Sequence, residues 1–278
     1  MLQERNSRWS FCSITVFNSG GKYYYDFLLY QRTYEMIDCV ALSDLHGTLP
    51  IIEQPFDLML IAGDAVDLYC QKYSKLTEDW YLGEFMDWIN SLPFKDEQGK
   101  VVLIAGNHCV GLENMKSSNK QMFLIALRER SNHRIIYLEN ELYNFHCRGE
   151  QVSIFGTPWC KIFGNWAFMG NPELLKEKYS EIPEGVDILL SHDAPYGTCD
   201  VCHGWIAQGR IPYHIGNEQL RDAILDKKPK MCLVGHLHSA NHDFELLGDT
   251  KVRNVSILDE EYKETYKPFY FEWPSILD

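Results

Sequence analysis

The chain has no excess of positive charge, no long apolar run and no cysteine framework, and each absence speaks against a class of protein. Its 278 residues carry 26 Lys and Arg against 39 Asp and Glu, a formal net charge of −13. That balance argues against a nucleic-acid backbone as a stable partner, because such binders carry a basic stripe that neutralises phosphates. A small phosphate ester stays open, since bound divalent cations would bring their own positive charge. No segment approaches the ~18 apolar residues of a membrane span. The stretch from Trp9 to Phe17 is broken by Ser10, Ser13 and Thr15, which makes a poor leader core and a fair amphipathic strand. The nine cysteines are odd in number and scattered, several of them inside apolar runs (Cys39, Cys232). Reduced thiols in the cytoplasm are the expectation, with no membrane partner.

Internal repeats, low-complexity tracts and linkers are also lacking. What remains is an alternation of short apolar strands (residues 57–61, 101–104, 135–138, 152–155, 186–190 and 231–234) with helical segments at 76–92, 119–130 and 217–226. In the segment 76–92, Trp80, Phe85, Ile89 and Leu92 share one helical face. The last forty residues return to strand character, at 251–258 and 268–273. Helices interleaved with strands give an α/β fold in one domain spanning residues 36–278. Residues 1–35 read differently: two strand-like runs around Asn18-Ser19-Gly20-Gly21 form a hairpin pattern. They are either an N-terminal extension upstream of Met36 or an edge hairpin added to the sheet.

Five short motifs follow the apolar runs: Asp44-Leu45-His46, Gly63-Asp64, Gly106-Asn107-His108, Ser191-His192 and Gly235-His236-Leu237-His238. Any one of them is an ordinary turn former or cap. Together they place two aspartates, one asparagine and several histidines at strand ends, where side chains from distant parts of a sheet can converge. Asp44 and His46, two residues apart at a strand end, are expected to face the same side by alternation. Asp64 has two oxygens with which to bridge two ions. His236 and His238 can serve different ions if their turn is not extended. A shell of oxygen and imidazole donors with no thiolate suits manganese, iron, zinc or nickel and suits calcium poorly.

The order DLH, GD, GNH, SH and GHLH resembles the calcineurin-like metallophosphoesterase family from Met36 to the end of the chain. Gly156-Thr157-Pro158-Trp159 with Phe163-Gly164-Asn165-Trp166-Ala167-Phe168 is similar to a signature of its metallophosphoesterase-domain-containing, class III phosphodiesterase-like group. The resemblance implies a four-layer α-β-β-α sandwich, two mixed β-sheets face to face with helices outside. It implies two divalent transition-metal ions, with manganese the first choice. Asp44, His46 and His238 would hold the first, Asp64 would bridge, and Asn107, His192 and His236 would hold the second. His108 would act at the leaving oxygen, oriented by Asp67, while a metal-bridged hydroxide attacks phosphorus.

Three departures from the family pattern matter. Leu68-Tyr69 follow Asp67 where phosphoprotein phosphatases carry an arginine, Cys109 follows the GNH motif where an acid is usual, and Asp193 follows His192. The missing arginine favours small or nucleotide-like phosphodiesters as substrates. A phosphomonoesterase or phosphoprotein phosphatase, and a catalytically silent scaffold, remain as rivals. Cys199 and Cys202, with His203, fit a haem-attachment spacing but are expected to be plain loop residues. Trp159, Phe163, Trp166 and Phe168 are either core or an aromatic wall for a base or aryl group. Oligomeric state is left open by the sequence.

Overall fold

The computed structural model describes residues 10–19, 22–30, 36–202 and 213–277, with side chains from 36 onward. The chain divides into two compact units, Met1–Met36 and Ile37–Asp278. In the first, β1 (Ser10–Ser19) and β2 (Lys22–Tyr30) pair antiparallel as a two-stranded sheet. The Gly20-Gly21 turn expected between them lies outside the described residues.

In the second unit two sheets share the core. The five-stranded sheet contains β3 (Ile37–Leu42), β4 (Leu58–Ile61), β5 (Lys100–Ile104) and β6 (Ile135–Leu138) in parallel, with β15 (Phe269–Trp273) antiparallel against β3. In the six-stranded sheet β8 (Glu150–Thr157), β11 (Ile188–Ser191), β12 (Met231–Val234) and β14 (Thr250–Asn254) run parallel. Its edges are antiparallel, β7 (Glu141–Cys147) on β8 and β13 (Glu245–Leu247) on β14. Two short strands outside both sheets, β9 (Cys160–Lys161) and β10 (Met169–Gly170), pair in parallel.

The strand period of two sorts the side chains into layers. Leu58 and Leu60 of β4, with Val102 and Ile104 of β5, pack between the sheets against Ile154, Ile188, Leu190, Met231 and Leu233. Their neighbours Met59, Ile61, Val101 and Leu103 face the other way. There they meet Trp80, Phe85, Ile89, Leu112 and Phe123 of α1 (Ser74–Leu82), α2 (Glu84–Ser91), the single turn α3 (Val110–Glu113) and α4 (Ser117–Arg130). On the outer face of the second sheet, Phe155, Leu189, Cys232 and Val252 receive Leu175 and Tyr179 of α5 (Pro172–Ser180) and Leu220 and Ile224 of α6 (Glu218–Lys227). The result is the expected α/β four-layer order, two mixed sheets flanked by helices. Both faces of each sheet are covered, which is why the strands read as nearly continuous apolar runs.

Two expectations need correction. The segment 76–92 is two helices, because Gly83 adopts φ −107°, ψ −104° and ends the first one. The apolar face still holds across the break, with Trp80, Phe85, Ile89 and Leu92 all buried. The strand expected over 251–258 stops at Asn254, and Val255–Leu258 cross instead to the first sheet, where Ser256 bridges Ser43. That crossing carries a polar side chain to the centre described next.

Candidate metal centre

The five motifs lie just past the carboxyl ends of parallel strands: β3, β4 and β5 in one sheet, β11 and β12 in the other. Loops at these ends of adjoining parallel strands converge, which makes them the usual location of α/β sites. Ligand atoms of Asp44, His46 and His238 all lie within 4.8 Å of one another, as do those of Asp44, Asp64 and His192, and those of His46, Asp64 and His108. Asn107 Oδ1 is 2.9 Å from His192 Nε2. His236 belongs to none of these groups; its ring stands 5.3 Å from that of His192 and 5.0 Å from that of Phe163, on the cavity wall.

Backbone conformation, not strand alternation, aims the first pair. The strand stops at Leu42, and Asp44 (φ 55°) and His46 (φ 43°) are both left-handed, as are Asp64 (φ 47°) and His236 (φ 66°). Such residues cost energy that the surrounding structure must impose, and they cluster at functional sites. Gly63 is required for a different reason: at φ 100°, a Cβ there would run into the ring of His192 and the carbonyl of Ala105. The Gly-Asp pair is thus a matter of close approach by a ligand as much as of turn preference.

Each carboxylate is anchored by one oxygen. Asp44 Oδ2 accepts from the His236 amide at 2.9 Å and from Ser256 Oγ at 2.6 Å, while its Oδ1 is buried with no hydrogen-bond partner. Asp64 Oδ1 accepts from the His108 amide at 2.9 Å, and Oδ2 lies 3.0 Å from His192 Nε2. Asp64 thus keeps Oδ2 toward His192 and would hold cations from this place between the two groups of candidate ligands. His192 and His238 each donate Nδ1–H to a backbone carbonyl, Ala62 at 2.8 Å and Asp259 at 2.9 Å. Their Nε2 atoms then point at Asp64 and at Asp44, an arrangement that fixes the tautomer of metal-binding histidines. Nε2 of His238 is also 3.3 Å from Nε2 of His46, whose Nδ1 is buried without a partner. Facing imidazole nitrogens, a buried carboxylate oxygen that makes no hydrogen bond and lies 3.4 Å from His238 Nε2, and an orphaned ring nitrogen in one place fit divalent cations as the missing partners.

Burial works against charge on these histidines, and the carboxylates decide which of them keep a proton. Burial opposes the His192 imidazolium, but Asp64 beside it lifts its pKa to about 9. The same balance, with Asp44 as the partner, lifts His238 to about 9. For His46 and His236 burial wins, and both fall to about 4. Burial alone would raise the Asp44 and Asp64 carboxyls, but the neighbouring histidines hold both well below the ordinary range. At about pH 7.5, between these two sets of values, the metal-free protein is therefore expected to carry a proton on each of the candidate ligands His192 and His238. Loading it with Mn2+ or Zn2+ should release about two protons per protein, read by calorimetry in buffers of different ionisation enthalpy. Loading with no proton release would mean that His192 and His238 are not ligands.

Asp67 does not orient His108. Its Oδ1 accepts from the Tyr69 amide at 2.8 Å, closing a local turn, and its Oδ2 sits against Gly47. The partner of His108 Nδ1 is Gln71 Oε1, at 2.5 Å. Cys109 is buried with its thiol next to Asp64, burial pushes its pKa up, and it belongs to no converging ligand group among the described residues. Asp193 is a tie: it accepts from the amides of Lys161 and Ala194 and from Asn217 Nδ2. Cys199 and Cys202 are buried in the outer core of the second sheet, and neither belongs to a converging ligand group among the described residues. His203, the third residue of that spacing, lies outside the described residues.

A cavity of about 460 Å³ opens onto Asp64, Asn107, His108, His236 and His238. The aromatic cluster after the Gly-Thr-Pro turn divides in two. Trp166 lies 4.5 Å from the His108 ring and Phe163 faces His236, both lining the cavity, whereas Phe168 is buried core and Trp159 packs edge-on against it. Sequence reasoning missed Lys161, Tyr213, Glu260 and Tyr262 on the same walls, since no motif marks them. Tyr262 stands edge-on to His46 and His238, at 4.9 and 5.5 Å.

Strand-end ligands facing a cavity, on two packed mixed sheets, define a metal-dependent hydrolase, and the comparisons give its family. The calcineurin-like phosphoesterase profile matches residues 38–240, so the chain belongs to that family and is a metal-dependent phosphoester hydrolase. It is similar to metallophosphoesterase domain-containing protein 1 of Homo sapiens and of Mus musculus, each 27% identical over 253 residues that cover 85% of this chain and 71% of theirs. Among solved structures it is similar in fold to TT1561 of Thermus thermophilus, with TM-score 0.51 and 12% identity, covering 85% of this chain and 99% of that one. No helix among the described residues is long and apolar enough to cross a membrane.

Proposed function

We propose that this hydrolase cleaves small or nucleotide-like phosphodiesters. One observation carries the choice: the cavity facing the ligands is walled by Phe163, Trp166, Tyr213 and Tyr262, with Lys161 its single lysine or arginine among the described residues. A monoester brings a second negative charge that calls for a further cationic clamp, usually a bidentate arginine. Leu68 and Tyr69 stand where that arginine would be, and Tyr69 is 82% exposed, away from the cavity. The aromatic walls suit a flat base or aryl group.

Asp44, His46 and His238 would hold one cation and Asn107, His192 and His236 the other, with Asp64 between. When bound, the pair would lower the pKa of water and offset charge on the phosphoryl oxygens. His108 would exchange a proton with the leaving oxygen, and Trp166 would keep its ring in place. The three oxygen and four nitrogen donors suit manganese, iron, zinc or nickel, and manganese is the ion we propose. The free cysteines support a reducing, cytoplasmic setting.

The test is a substrate panel on reconstituted enzyme. Bis(p-nitrophenyl) phosphate should show a higher kcat/KM than p-nitrophenyl phosphate. The opposite order would favour a monoesterase that uses Lys161, whose Nζ is already placed by the Gly216 carbonyl at 2.8 Å.

A further inference from the structure

We propose that Gln71 is the positioning residue for His108, selecting its tautomer and turning one ring nitrogen toward the reacting oxygens. This deepens the phosphodiesterase reading and rests on it. Gln71 is buried, 7% exposed, and its Oε1 lies 2.5 Å from His108 Nδ1. An amide oxygen can only accept, so Nδ1 carries the hydrogen and Nε2 is the nitrogen that exchanges a proton with the substrate. The backbone of each residue is fixed. The Gln71 carbonyl accepts from the Gly111 amide at 2.7 Å, three residues beyond His108, and the His108 amide is fixed on Asp64 Oδ1. Trp166 lies at 4.5 Å with its ring tilted 32° from the imidazole, which hinders rotation about the ring axis.

The chemistry of the partner matters as well. Asp44 and Asp64 already place two carboxylates in this buried region. A third on the far side of His108 would add like charge close to both, whereas a glutamine orients the ring without adding any. Asp67 is four residues earlier and is spent on the Tyr69 amide, so the orienting role has moved along the loop.

The experiment compares Gln71→Leu and Gln71→Glu in the metal-loaded enzyme, on a dialkyl phosphodiester, which can only expel an alkoxide, and on bis(p-nitrophenyl) phosphate. Loss of an outer partner of this kind typically costs about 10–100-fold. Gln71→Leu should lower kcat at the alkyl leaving group by at least about tenfold, with KM and metal content unchanged. On the bis-aryl ester, whose leaving group needs little protonation, the loss should stay within about threefold. Gln71→Glu keeps an acceptor oxygen at the same reach but adds charge, and should give an alkyl reaction clearly faster than that of Gln71→Leu and below that of the parent. Equal losses on both esters, loss of metal, or a Glu variant as damaged as the Leu variant would overturn the proposal. A second readout does not depend on the substrate class. The ring 15N shifts of His108 should report Nδ1–H in the parent and a mixture of tautomers in Gln71→Leu. Unchanged shifts would refute the positioning role even if neither diester proves to be a substrate.

Discussion

Asp64→Asn should lose metal and turnover together. Asp64 converges with Asp44 and His192 and also with His46 and His108, so it meets candidate ligands of both cations. Its amide replacement keeps the shape and the His108 contact but removes the charge that draws cations to both positions. It also removes what keeps a proton on His192: burial then dominates, and that ring becomes neutral in the metal-free protein. Metal content after gel filtration should fall below one ion per protein. Activity should drop by well over the ~10²-fold at which loss of an outer partner ends. The thermal unfolding midpoint should fall in metal by more than in excess chelator, where only the buried Asp64–His192 pair is lost. Full occupancy with reduced activity would assign Asp64 to the substrate and leave the bridge without a ligand.

His108→Ala should fail in a different way. Its amide anchors Asp64, but the alanine variant keeps that amide, so the carboxylate stays in place. Its ring is turned to Gln71 on one side and packed on Trp166 on the other, so losing the ring removes a proton-exchanging group. General acid–base assistance is worth about 10²–10⁴-fold. The loss should lie in that range for an alkyl leaving group, shrink for p-nitrophenolate, and leave metal content at the parent level. If His108→Ala strips the metals, its nearness to His46 and Asp64 would mark it as a ligand and not as a catalytic residue. A loss below about tenfold on the alkyl ester would also refute the assigned role.

The identity of the candidate ligands was legible because each ends a strand, and a run such as Val101–Ile104 before Gly106-Asn107-His108 shows in the sequence itself. The layers were legible for the same reason, since period-two burial on both sheet faces leaves unbroken apolar runs. What could not be read was how the ligands turn. Alternation suggested that Asp44 and His46 share a strand face, yet both point inward through left-handed backbone that only the folded loop enforces. Gln71 carries no signal, because its contact with His108 spans 37 residues and depends on two loops meeting. Tyr262 and Ser256 reach the centre from the carboxyl-terminal segment by a crossing that strand character in the sequence concealed. Gly83 falls inside the segment expected to be one helix and proved to be its break.

The most direct test of a two-cation hydrolytic centre is elemental analysis paired with activity during chelation and reloading. Purified protein should hold close to two transition-metal ions, lose phosphodiester turnover as a chelator removes them, and recover it on reloading, with manganese giving the largest recovery. Protein that contains no metal and hydrolyses phosphoesters at the same rate in excess chelator would contradict the centre built from Asp44, His46, Asp64, Asn107, His192, His236 and His238.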